Sequence, residues 1–203
     1  MGKKFFITGT DTNVGKTYYT VKLLREYARE GYSKLGIKPI SSGYDADTKI
    51  NDDAKNLYEA SSIKIPMKEI NPFAFRYRIS PNIAAKNEHM ELNVNNILKE
   101  MDKVIKYNPD IQIIEGVGCC DVPINEKENM SDLVQALDIP VIMVVVIKLG
   151  CLNHAILTAN AINQKRIKTV GWVANCIAKD ELEVKENTNT LKSKLNMKFL
   201  GII

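Results

Sequence analysis

The sequence predicts an α/β fold: a single domain over residues 1–203, with a mainly parallel β-sheet flanked by helices. Three observations predict it. Segments of strand and helix character alternate from one end of the chain to the other, the pattern that produces crossover connections and a parallel sheet. Val141 to Ile147 is a β-branched run without a polar break, as a central strand covered on both faces requires. The first apolar run passes through a glycine-bearing turn directly into a helical pattern. A length of 203 residues, 45% of them apolar, suits one domain with a sizeable core.

Taken in order, Lys4 to Thr8 reads as a buried strand, and Lys16 to Arg29 as a helix with Val21, Leu24 and Ala28 on one face. Lys34 to Ile40 reads as a second strand, followed by a polar loop from Ser41 to Asn51 and a short helix from Asp52 to Ala60. Pro66, Pro72 and Pro81 interrupt Ile65 to Ile83, which is expected to be an irregular, packed surface loop. Val94 to Tyr107 carries Ile97, Leu98, Met101, Val104 and Ile105 at helical spacing, and Pro109 closes it. Strands are expected at Ile111 to Ile114, Val141 to Ile147, Thr169 to Ala174 and Phe199 to Ile203. Helices are expected at Asp132 to Leu137, Leu152 to Asn163 and Glu181 to Leu195.

Composition excludes several classes of function. Lys+Arg 28 against Asp+Glu 24 gives a formal charge of +4, but the basic residues are scattered and form no run suited to nucleic acid. No apolar stretch approaches the roughly 20 residues of a membrane span. The N-terminal apolar stretch is too short for a secretory signal, and Phe6 occupies the position where myristoylation needs Ser or Thr. Cys119, Cys120, Cys151 and Cys176 form no C-x-x-C pair, and His89 and His154 lie away from zinc spacing. Reduced thiols in a cytoplasmic protein are expected.

The most informative stretch is Gly9-Thr10-Asp11-Thr12-Asn13-Val14-Gly15-Lys16-Thr17, between the first strand and the first helix. Successive backbone N–H groups and a helix N-terminus solvate a phosphate without side-chain reorganisation. Lys16 adds a mobile positive charge, and the Thr17 hydroxyl suits Mg²⁺. Gly9 stands one residue earlier than the P-loop pattern G-x-x-x-x-G-K-[ST] demands, so the strict pattern fails, but the strand–loop–helix context points to a P-loop, and hence to a P-loop NTPase-like domain. A second acid is expected at the end of another strand, because ligands bind beyond the carboxyl edge of a parallel sheet. Glu115, between Ile114 and the thin loop Gly116-Val117-Gly118, fits that place; its alternative is a solvated strand-end carboxylate. Asp52 and Asp53 open a short helix, where they can cap it or turn to the metal, and the residues alone favour neither. Lys38 ends the second strand facing the same edge; taken alone, a lysine there more often snorkels to solvent.

Together these segments resemble the dethiobiotin synthetase family. Gly9 to Thr17 is similar to G-T-D-T-x-V-G-K-T, which accounts for the early glycine, and Lys38-Pro39-Ile40-Ser41-Ser42-Gly43 to K-P-x-x-S-G. Glu115-Gly116-Val117-Gly118 is similar to E-G-A-G, Val146 to His154 to V-x-x-x-L-G-x-I-N-H, and Gly171 to Asn175 to G-W-V-x-N. The resemblance implies a cytoplasmic homodimer with its substrate site at the interface. It would take 7,8-diaminononanoate, CO₂ or bicarbonate, and ATP with Mg²⁺, and close a ureido ring through a carbamate and a carbamic-phosphoric anhydride. The resemblance implies Lys16 and Lys38 as catalytic residues and Thr17, Asp53 and Glu115 as metal ligands, which selects Asp53 over Asp52. It assigns ATP to Thr12, Asn13, Val14, Gly15, Lys16, Thr17, Tyr18, Asp53, Glu115, Gly116, Val117, Gly118, Asn175 and Cys176. Substrate falls to Ser42, Gly118, Gly150, Cys151, Leu152 and Asn153, the last four in the other subunit's site.

Cys119-Cys120 departs from the glycine and aromatic that commonly continue the family's loop, and Asn187 stands where relatives can carry a substrate-anchoring tyrosine. The sequence stops at Ile203, where the family usually runs on through I-P; weaker selection of the nucleotide base is the expectation. Two other readings are weaker. A cobyrinate amidase-synthase needs a glutaminase domain for which there is no room, and partition ATPases usually begin the loop with lysine, K-G-G-x-G-K-[ST].

Overall fold

The computed structural model describes residues 2–176 and 181–203. β1 (Lys3–Gly9) leads through the loop into α1 (Lys16–Arg29), followed by β2 (Lys34–Ile37), β3 (Ile40–Ser42), α2 (Asp52–Ala60), α3 (Met67–Ile70) and β4 (Phe73–Phe75). Next come α4 (Pro81–Asn87), α5 (Val94–Asp102), a 3₁₀ turn at Ile105–Tyr107, β5 (Ile111–Glu115), α6 (Met130–Leu137) and β6 (Val141–Val146). α7 (Cys151–Gln164), β7 (Thr169–Asn175), α8 (Glu181–Lys194) and β8 (Phe199–Ile202) complete the chain.

Six strands form one parallel sheet in the order β2-β5-β1-β6-β7-β8. The connection from β1 leads outward to β2, whereas the later strands β6, β7 and β8 add in sequence on the other side. β1 therefore lies where the winding reverses, and a crevice opens beyond its carboxyl end. Successive side chains of β1 point to opposite faces: Phe6 joins one buried cluster with Leu35, Ile37 and Trp172, and Ile7 joins the other with Leu24, Ile113 and Val144. All six residues of β6 are buried, as its unbroken apolar pattern demands.

Four regions differ from the sequence expectation. Ile65 to Ile83 is not a surface loop. It contains α3, β4 and the first turn of α4, with Ile70, Phe73 and Phe75 in the core. Its prolines start elements and do not break them: Pro66 is the N-cap of α3, Pro72 precedes β4, and Pro81 opens α4, where a missing N–H costs nothing. The expected second strand divides at Lys38-Pro39, so that Ile40–Ser42 leaves the main sheet and pairs with β4, Ser42 opposite Phe75. The polar loop accordingly begins at Gly43.

The helix expected over Val94–Tyr107 stops at Asp102 because Val104 and Tyr107 donate to carbonyls three residues back, at 3.0 and 3.2 Å, tightening the last turns. Ile97, Met101 and Val104 are buried as expected, and the Ile105 side chain lies outside the described residues. On α1 the buried face is rotated: Tyr19, Thr20 and Leu24 are inside and Ala28 is exposed. Tyr27 instead covers the start of β1 by stacking on Phe5, with ring centroids 6.3 Å apart.

Candidate active site

The loop after β1 is held from both sides. Thr10 N donates to Val144 O of β6 at 3.2 Å, and the Asn175 amide, at the end of β7, donates to Val14 O at 2.8 Å. Asn13 (φ 55°) and Gly15 (φ 94°) adopt left-handed backbone, and a side chain at Gly15 would also collide with the Asn175 amide. Gly15 thereby turns the chain into α1, leaving free amides at its N-terminus. Val14 is buried, Thr12 is exposed, and Tyr18 stands 62% exposed on the first turn of α1. The Lys16 ammonium donates to Asp11 O at 2.9 Å. Burial, then the charge of Lys38, brings the Lys16 pKa down to about 8, against the opposing pull of Glu115, Asp53 and Cys119.

Next to this loop four groups form one polar knot. Glu115 ends β5 with no exposed surface, and Lys38 follows β2 with 3% exposure. The Lys38 ammonium donates to Glu115 Oε1 at 2.6 Å and Gly116 O at 3.1 Å, and pairs with Asp53 Oδ2 at 3.2 Å. The snorkelling alternative for Lys38 is thus excluded by its geometry. Thr17 Oγ1 lies 2.7 Å from Glu115 Oε1 and 2.8 Å from Asp53 Oδ1. A hydroxyl has one proton, so it donates to only one of these oxygens at a time. The buried Glu115 Oε2 has no partner among the described residues. Burial opposes charge on Lys38, but Glu115 and Asp53 outweigh it and hold the ammonium's pKa above its ordinary value. Burial likewise raises the Asp53 pKa, yet Lys38 and the Thr17 hydroxyl prevail and hold it low.

The choice between Asp52 and Asp53 is resolved locally. Asn51 is the cap of α2, its side chain accepting from Asp53 N at 3.0 Å and Ala54 N at 3.4 Å. Neither aspartate is needed for capping: Asp53 turns to Thr17, and Asp52 stays 81% exposed beside Arg78. Sequence reasoning missed Asn51, although an Asn immediately before a predicted helix start is a recognised signal.

A cleft of about 830 Å³ opens over these groups, bounded by the P-loop, Lys38, Ser42, Val117, Gly118 and the segment Arg78 to Pro81. The Ser42 hydroxyl is buried without a partner among the described residues. Gly116 contributes its carbonyl to Lys38, and Gly118 turns the loop at φ 60°. Cys119 is half-buried, and burial pushes the Cys120 thiol up to about 12. Gly150, Cys151, Leu152 and Asn153 are not among the residues lining this cleft. They start α7, with Gly150 as a left-handed cap, Cys151 buried, Asn153 exposed and Leu149 before them 97% exposed. Cys176 follows β7, half-buried, its N–H on Ile203 O; Asn187 is half-buried on α8. Arg78 was also unforeseen, since its place depends on the β3–β4 pair that the prolines concealed.

Comparison with known proteins completes the description. Residues 3–203 match a family model described as an AAA domain. The ATP-dependent dethiobiotin synthetase of Nitrosospira multiformis is 40% identical over 203 residues, covering 100% of this chain and 88% of its own. The chain belongs to the dethiobiotin synthetase family. A second member, from Aeromonas salmonicida, is 40% identical over 205 residues, covering 100% of this chain and 91% of its own. Among solved structures, the cell division protein MinD of Aquifex aeolicus aligns over 100% of this chain and 82% of its own with a TM-score of 0.62 at 14% identity. A putative plasmid partition protein from Borrelia burgdorferi, bound to AMPPNP, gives 0.59 at 14%, covering 100% of this chain and 85% of its own. At such identities these two establish a shared fold, here a P-loop fold carrying a dethiobiotin synthetase family sequence. Among the described residues, no helix is long and apolar enough to cross a membrane.

Proposed function

We propose that this chain is an ATP-dependent dethiobiotin synthetase, which carboxylates 7,8-diaminononanoate and closes the ureido ring. The observation that carries this reading is the convergence of Lys16, Thr17, Lys38, Asp53 and Glu115 beside a cleft containing the unpartnered Ser42 hydroxyl. One amine of the diamine attacks CO₂ and loses a proton, giving a carbamate. A carbamate oxygen then attacks the γ-phosphorus, and ADP leaves. The second amine attacks the carbonyl carbon of the mixed anhydride, expels phosphate and loses its proton, which closes the ring.

The residues supply preorganised charge and placement. The amides from Asn13 to Thr17 and the Lys16 ammonium receive the phosphates. Lys38, fixed from behind by Gly116 O, presents positive charge where the phosphoryl group transfers. Ser42 donates to the carbamate. Gly116, Val117 and Gly118 border the nucleotide, Tyr18 and Cys176 flank it, and Asn175 binds the purine while fastening Val14. Two carboxylates and one hydroxyl suit Mg²⁺, and the orphaned Glu115 Oε2 leaves an acceptor free for it. Thr17, Asp53 and Glu115 would hold the ion, which when bound offsets charge on the β- and γ-phosphates. The exposed start of α7, with Leu149, is read as an edge completed by a second copy, Gly150 to Asn153 receiving the distant carboxylate there.

The test is ADP release by the purified chain with ATP and Mg²⁺. Release that requires both the diamine and bicarbonate, with dethiobiotin as product, is the expected result. Hydrolysis independent of the diamine would instead fit a nucleotide-switched ATPase and overturn the reading.

A further inference from the structure

Arg78 owes its position to the small sheet. Ser42 and Phe75 end β3 and β4 side by side, and Phe75 O accepts from Gly43 N at 2.8 Å and Tyr44 N at 3.2 Å. Two residues on, Tyr77 O accepts from Ile79 N at 2.9 Å, a three-residue turn with Arg78 at its apex. The Arg78 side chain then lies across Gly43, whose backbone is left-handed (φ 82°). A side chain at 43 would collide with Cγ, Cδ and Nε of Arg78. The glycine thus leaves a trough in which the arginine stem rests, one residue from Ser42 and in the same cleft.

The cleft is lined by three cationic side chains, two of which are already engaged. Lys16 donates to Asp11 O, and Lys38 to Glu115 and Gly116 O while paired with Asp53. Among the described residues Arg78 has only Asp52 Oδ2 at 4.0 Å, and both side chains are about four-fifths exposed, so this contact holds it weakly. A guanidinium is a rigid planar fork that matches a planar carboxylate through two parallel hydrogen bonds.

We infer that Arg78 is a substrate-binding residue, which grips the carbamate formed on the diamine through its two oxygens and holds it next to Ser42. The inference rests on the proposed reaction. An arginine that binds the CO₂-derived group affects the dependence on bicarbonate, whereas one that binds the distant carboxylate does not.

The experiment measures KM for bicarbonate, diamine and ATP in the wild-type chain, Arg78→Ala and Arg78→Lys. In Arg78→Ala, a rise of roughly tenfold or more in the KM for bicarbonate and for diamine is expected, with the KM for ATP within about twofold. Arg78→Lys should recover little, because an ammonium cannot reproduce the fork. Unchanged KM values in Arg78→Ala, a rise in the diamine value alone, a parallel rise for ATP, or full recovery in Arg78→Lys each overturn the inference while wild-type turnover keeps the proposed function standing. A wild-type chain that forms no dethiobiotin overturns the reading beneath it.

Discussion

Two stretches of the sheet's carboxyl edge carry the family's motifs, and they are built in opposite ways. At β1, β2 and β5 the polar side chains hold one another: Lys38 binds Glu115 Oε1 and Asp53, Thr17 lies between the same two acids, and Asn175 locks the loop, while Glu115 Oε2 has no partner among the described residues. At the start of α7 little is completed. Asn153 and Leu149 face outward, and a Cβ added at Gly150 would meet nothing within 4 Å. A cluster whose side chains hold one another in place is preorganised within one chain. In the proposed reading, the exposed start of α7 acts only when a second copy covers it.

Substitutions within the knot should have the largest effects. Lys16→Ala and Lys38→Ala are each expected to lower kcat by at least roughly 10²-fold, the scale for losing one preorganised stabiliser of transferring charge. A near-normal kcat with an altered KM would make Lys38 a binding residue only. The variants should part on metal binding. Lys38 occupies the same two carboxylates that would hold the ion, so Lys38→Met should bind Mn²⁺ more tightly than wild type in the absence of nucleotide. Lys16→Ala, whose ammonium rests on a backbone carbonyl, should change it little. Electron paramagnetic resonance of free Mn²⁺ reads both, and equal affinities would show that lysine and metal do not share the site.

The α7 half should respond more weakly and in a different parameter. Asn153→Ala is expected to raise the KM for diamine several-fold and leave that for ATP unchanged. With diamine well below its KM, mixing it with Lys16→Ala should raise activity above the sum of the two variants assayed apart, mixed dimers contributing about a quarter of wild-type activity: if the chain pairs as proposed, random exchange makes half the dimers mixed, and one of the two sites in each is intact. No recovery in spite of demonstrated exchange would confine the site to one chain.

The same contrast explains how much the sequence reveals. Lys16, Thr17 and Glu115 were legible because parallel strands all deliver their carboxyl ends to one edge, so motifs far apart in the chain had to meet, whereas Lys38 and Asp53 were singled out only by the family resemblance. Glu115 showed itself as a lone acid closing an apolar strand. The segment from Ile65 to Ile83 stayed hidden because proline at an element's first residue looks the same in sequence as proline that breaks one. That error concealed β4, the pairing of Ser42 with Phe75, and with them the position of Arg78. The start of α7 was legible as a helix start and as a family motif; the second copy proposed to cover it is not written in the residues of one chain.

The smallest expected effect lies at the junction that carries Asp53 to the knot. Asn51 does two things: its carbonyl oxygen caps α2 by accepting from Asp53 N and Ala54 N, and its Nδ2 donates to Gly43 O at 3.1 Å and Ser42 O at 3.4 Å. Asn51→Ala removes both and should cost about 1 kcal/mol, a fall in Tm of roughly 2–4 °C for a chain of this size. Asn51→Asp separates the two functions. A carboxylate is an equally good cap and favours a helix N-terminus, but it cannot donate to the Ser42 and Gly43 carbonyls, so it tightens the helix and releases the cleft wall. Asn51→Asp should therefore regain most of the Tm lost in Asn51→Ala while both variants share a raised KM for diamine. If Asn51→Asp restores Tm and KM together, Asn51 is a cap alone, and Ser42 is positioned by the β3–β4 pair without help from α2.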